Sequence, residues 1–196
     1  MSKVVLIDNG HGQNTLGKCS PDKSLYEYLW TREIVARVVD TLTMRGIDAR
    51  IITPEKWDVS LQERVRRVNA LCARYGSKNV CLCSVHVNAA GADGKWHNAR
   101  GFQVYVAKSC SSKSKRLAQL MYAQAQQRGL KGNRWVPTER YWQANYYILK
   151  NTNCPAVLTE NLFQDNKEDV DYLLSEEGKQ AIVDLHVEAI MKYLAL

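Results

Sequence analysis

No run in this 196-residue chain approaches the roughly 18–20 apolar residues that a membrane-spanning helix requires, so membrane insertion is not expected. Proline and glycine are few, 4 and 11, which argues against a long disordered or low-complexity tract. None of the 6 cysteines stands in a CxxC pair, which makes a cysteine-rich zinc knuckle an unsuitable reading. A chain of this size needs no disulfide staples, and Cys19, Cys72, Cys81, Cys83, Cys110 and Cys154 are expected to be reduced and mostly buried. Met1-Ser2-Lys3 runs straight into Val4-Val5-Leu6-Ile7, which is too short for the apolar core of a secretory leader, and no cleavage-site pattern follows.

Apolar residues make up 45% and charged residues 24%, enough for one domain over residues 1–196 with a sizeable core. The net charge of +7 attracts polyanions in general. The basic residues are dispersed apart from Lys113-Ser114-Lys115-Arg116. Without a finger, RNP or basic-zipper pattern, nucleic acid is not expected as a partner.

Strand-like runs alternate with helical stripes. Val4 to Asp8, Ile47 to Thr53, Asn79 to His86, Phe102 to Ala107 and Ala156 to Glu160 read as strands. Ser24 to Arg45, Ser60 to Tyr75, Ser112 to Arg128 and Ser175 to Tyr193 read as helices, the second opened by Ser60 and Glu63 as a capping box. This pattern predicts an α/β single domain with a largely parallel or mixed twisted sheet and helices on both faces. Lys131 to Tyr147 fits no element and contains Arg134, Trp135, Arg140, Tyr141, Trp142, Tyr146 and Tyr147; loops of this length in a compact domain are often functional.

Three polar residues stand where apolar strands end: His11 after the first, His86 at the close of the third, and Glu160 at the close of the last assigned strand. Ligands of open α/β sheets bind at the carboxyl ends of strands, so parallel strands bring these three to one rim. Two imidazoles and a carboxylate there suit a hydrolytic zinc site. For each the alternative is structural: a hydrogen-bonded loop histidine, or a glutamate capping Asn161 and Phe163. Glu27 has capping-box spacing with Ser24, yet it also falls at the end of the core-facing stripe of its helix; spacing leaves both roles open. His186 lies on an apolar stripe and reads as a core histidine, His97 as a surface one. Trp96, Trp135 and Trp142 could stack on sugar rings or simply pack.

These residues resemble a known family. Asp8-Asn9-Gly10-His11-Gly12, then Glu27, then Ser84-Val85-His86-Val87-Asn88-Ala89, then Pro155 through Phe163 with Asn166, look in order like the motifs of the zinc-dependent N-acetylmuramoyl-L-alanine amidases. The resemblance implies one zinc per chain held by His11, Glu27 and His86, and Glu160 as catalytic acid/base. It implies substrate contacts at Asn88 and Arg134, and peptidoglycan as the partner. It implies cleavage of the amide between N-acetylmuramic acid and L-alanine. Asn9 stands where many members carry proline and Leu162 where many carry glycine. A different zinc peptidase of the wall, or a non-catalytic wall-binding module, would also fit. With no leader in the chain as written, the protein is expected to be made in the cytoplasm and to reach the wall through lysis or a pore.

Overall fold

The computed structural model describes residues 3–195. Met1, Ser2 and Leu196, part of the expected domain, lie outside the described residues. The apolar runs at Val4, Val80 and Ala156 become β1 (Val4–Asn9), β3 (Val80–Asn88) and β6 (Ala156–Phe163). They lie side by side at the centre of a sheet ordered β2-β1-β3-β6-β4-β5, where β2 is Asp48–Ile51, β4 is Gln103–Val106 and β5 is Trp142–Gln143. The four strands from β2 to β6 are mutually parallel; β4 runs antiparallel to β6, and β5 runs parallel to β4. The sheet is therefore mixed, with its parallel part carrying the predicted strand ends.

Side chains alternate across a strand, and here the alternation sorts two cores. Val5, Ile7, Cys81, Cys83, Val85 and Val157 face α1 (Glu27–Met44), α3 (Ser112–Gln127) and α6 (Glu176–Leu194). Val4, Leu6, Leu82, Ala156 and Leu158 face α2 (Leu61–Tyr75) and α4 (Tyr147–Asn151). Continued along the strands, this period puts Asp8, His86 and Glu160 on the α2 and α4 face, and Thr159 and Asn161 on the other. The stripe of α1 formed by Thr31, Ile34, Val35, Val38 and Leu42 is fully buried.

Some local expectations need correction. Ser24 does not cap α1; its hydroxyl bonds Asp22, and Tyr26 occupies the cap position without a side-chain bond. Ser60 does cap α2 by accepting from the Glu63 amide at 3.2 Å, but the Glu63 carboxylate turns outward to Arg66 and Arg67. Only half of that capping box forms. Leu61, though it lies on the face of α2 that carries Val65, Val68 and Cys72, is exposed. β6 continues three residues past Glu160, and α5 (Lys167–Leu174) follows it, capped by Asn166. The strand extends through a bulge. His86 pairs with Glu160 but Asn88 pairs with Phe163, so β6 carries one extra residue. Leu162, at φ 64°, takes the left-handed conformation there. The conformation accounts for glycine being suited to this position.

Candidate active site

His11, Glu27 and His86 converge, each offering a ligand atom within 4.8 Å of the others. His86 comes from the end of β3. Glu27 comes from the first turn of α1, where the positive end of the helix favours a carboxylate. His11 sits in the loop after β1 with φ 57°. That unfavourable conformation is held from behind: the His11 carbonyl accepts from Arg32 at 3.1 Å and from Arg64 at 3.4 Å. Arg64 also donates to Asp8 and to the Asn9 carbonyl, fixing the loop onto β1.

Glu27 Oε1 accepts from the Val87 amide at 3.0 Å and lies 3.1 Å from His86 Nδ1. Glu27 Oε2 is buried without a hydrogen-bond partner, and His11 Nε2 stands 3.6 Å from it, too far for a bond. Burial opposes ionisation of Glu27, but the hydrogen bond and charge of His86, with His11 and the Val87 amide, outweigh it and hold its carboxyl below the usual range. Burial lowers His11 to about 4, with Glu27 opposing and His86 and Lys18 adding. Burial also disfavours the charged form of His86, yet the bond and charge of Glu27 raise it overall. Glu27 Oε2 and His11 Nε2 thus face each other with no hydrogen bond between them. Such an N/O donor set suits zinc or a related transition ion.

Glu160 lies directly across from His86 in the β3–β6 register. Its Oε2 is also buried without a partner. Burial, reinforced by the Glu27 charge and opposed by His86 and Lys18, raises Glu160 to about 7. It makes no bond to Asn161 or Phe163; the Phe163 amide donates instead to Asp169. All four residues line one cavity of about 740 Å³, walled also by Lys18, Arg64, Asn88 and Tyr146.

The N-acetylmuramoyl-L-alanine amidase family model matches residues 5–192. The chain belongs to the N-acetylmuramoyl-L-alanine amidase family. It is 31% identical over its whole length to the endolysin of Bacillus phage SPP1, of which it spans 68%. It is 27% identical to the probable cell wall amidase LytH of Staphylococcus epidermidis over 98% of this chain, spanning 59% of that protein. The crystal structure of an N-acetylmuramoyl-L-alanine amidase from Clostridium difficile 630 superposes with a TM-score of 0.85 at 22% identity, covering 99% of this chain and 97% of that one. This likeness fixes the α/β fold.

In this amidase the glycines around His11 have a steric reason. A Cβ on Gly10 would stand 2.5 Å from His86 Nδ1, and one on Gly12 would stand 1.9 Å from the Asp58 backbone nitrogen. Asn88 lines the cavity, but its side chain is engaged: Nδ2 donates to Gln103 at 2.6 Å and Oδ1 accepts from the Ala89 amide at 2.8 Å. Arg134 is exposed and outside the cavity wall, with its charge reaching the Tyr105 hydroxyl. His186 is a buried core histidine, with Nδ1 donating to the Ile182 carbonyl and Nε2 accepting from Thr159. His97 pairs with Asp93 at the surface. The cysteines are free. Arg64 and Lys18 are among the cavity residues that escaped the sequence reading. Arg64 had a signal, a charge inside the apolar stripe of α2; Lys18, in a loop without periodicity, had none.

Proposed function

We propose that the amidase hydrolyses the amide joining N-acetylmuramic acid to L-alanine in peptidoglycan, with zinc held by His11, Glu27 and His86. The observation that carries this reading is the unpartnered Glu27 oxygen facing His11, one strand from an equally unpartnered Glu160. When bound, zinc supplies Lewis acidity that polarises the carbonyl and makes water a competent nucleophile near neutral pH. Glu160 takes the proton of the attacking water at its free carboxylate oxygen. Its raised pKa lets it give the same proton to the departing alanine nitrogen as the carbon–nitrogen bond breaks. Glu27 remains ionised through the bond from the Val87 amide and the neighbouring imidazoles. Arg64 and Arg32 keep His11 in position. Asn88 and Arg134 are proposed as substrate contacts, Asn88 through its second amide hydrogen and Arg134 from the outer rim.

We place the site of action at the cell wall, on the strength of the phage and staphylococcal relatives; no helix among the described residues is long and apolar enough to cross a membrane. Mass spectrometry of digested sacculi tests the reaction. The expected products are glycan strands with free lactyl carboxyls and stem peptides with free L-alanine amines. Peptides opened at any other bond would point to a different wall peptidase.

A further inference from the structure

Residues 131–147 give Tyr146 and Tyr147 to the catalytic cavity, but most of the segment lies elsewhere. It shapes a second hollow of about 370 Å³, lined by Trp135, Glu139, Tyr141, Trp142, Gln143 and Lys115. The Trp135 indole is 75% exposed. No hydrogen bond or ring contact holds it among the described residues. The turn that presents it is defined: the Arg140 amide donates to the Pro137 carbonyl at 2.9 Å, and Arg140 takes a left-handed φ of 67°. Trp142 lies against Tyr105 at 6.1 Å between centroids, Tyr105 meets Tyr146 edge-on at 5.3 Å, and Tyr146 borders the catalytic cavity. An aromatic path thus joins the two hollows around the edge of the sheet.

We propose that the second hollow is a saccharide subsite, holding a hexosamine ring of the glycan strand beyond the one whose amide is cut. The proposal rests on the amidase reading, since a strand attached at the scissile bond must continue as either sugar or peptide. A sugar ring offers an apolar C–H face to an aromatic plane and a rim of hydroxyl and acetamido groups. Trp135 supplies an open plane, while Glu139, Gln143 and Lys115 supply acceptors and donors around it. A peptide binding here would use the sheet edge, but β5 offers a strand of only two residues.

The test titrates the zinc-loaded protein with a peptide-free N-acetylglucosamine tetramer while following indole N–H signals by NMR. The signal that disappears in Trp135→Ala is expected to shift saturably. Trp135→Ala and Glu139→Gln are each expected to weaken the tetramer by about 10-fold. Both should raise KM on long glycan strands without changing kcat, and leave a single-sugar muramoyl peptide untouched. The proposal is overturned if the tetramer does not bind. It is also overturned if the variants affect the single-sugar substrate equally, or if a sugar-free stem peptide displaces the tetramer. Because the titration needs no turnover, a protein that binds the tetramer at Trp135 but cuts no amide would fail the amidase reading and leave the subsite standing.

Discussion

Glu27 is a carboxylate in a buried position whose one oxygen is satisfied and whose other faces a histidine across 3.6 Å. A cap residue would not be left in that state, because an unsatisfied buried acceptor costs about 1–3 kcal/mol. Glu27→Gln keeps the size and the contact to the Val87 amide but removes the charge. It is expected to lower zinc affinity by well over an order of magnitude while far-UV circular dichroism stays unchanged. Zinc bound as tightly as in the wild type would return Glu27 to a structural role. Gly10 works by absence. Gly10→Ala puts a methyl group against the His86 ring, and displacing a ligand by that route should weaken zinc by about 10–100-fold, comparable to losing an outer contact of a metal ligand. Competition with a chelating dye measures both variants, and unchanged affinity in Gly10→Ala would mean that the loop yields instead.

At the scale of elements, α6 and β6 are joined by a polar contact in an apolar layer. His186 is fully buried on α6 and accepts from Thr159, the neighbour of Glu160 on β6. Burial lowers its pKa from 6.5 to about 4, against the bond to the Ile182 carbonyl. Between those values the unfolded chain binds a proton that the folded chain refuses. The contribution of His186 is therefore complete above pH 6.5 and is lost as pH falls toward 4, a change of about 3 kcal/mol. Urea midpoints of the wild type and His186→Gln across this range should diverge least at pH 4 and most above 6.5. Parallel curves would refute the linkage. His186 was readable as a core residue because it falls on a long helical stripe. The same holds for β1, β3, α1, α2, α3 and α6, whose periods run long enough to show. Of the shorter elements, β2 and β4 still showed as strand-like runs, whereas three others did not. α5, α4 and the two-residue β5 are set by tertiary packing, and residues 131–141 by a turn rather than a period. Bulge geometry was equally hidden: Leu162 looks like an ordinary strand residue until the pairing of Asn88 with Phe163 shows where the extra residue goes.

For the whole molecule, the mixed sheet explains why strand ends revealed the site. Parallel β1, β3 and β6 deliver His11, His86 and Glu160 to one rim, as their sequence positions implied, and α1 brings Glu27 across from the opposite layer. Arg64 and Lys18 complete the cavity from an amphipathic face and an irregular loop. His11, Glu27 and His86 also come from three separate segments, so a metal held by them, as proposed, would couple binding to folding. Chelation is expected to lower the melting temperature, and restored zinc to recover it; a melting temperature indifferent to chelator would contradict that coupling. Metal and Glu160 are proposed to divide the chemistry. The most direct measurement is turnover of a defined muramoyl peptide per bound zinc, compared between the wild type and Glu160→Gln. About one zinc per chain is expected in both proteins, with turnover lower by roughly 10²-fold or more in the variant. Equal turnover at equal zinc content would contradict that division.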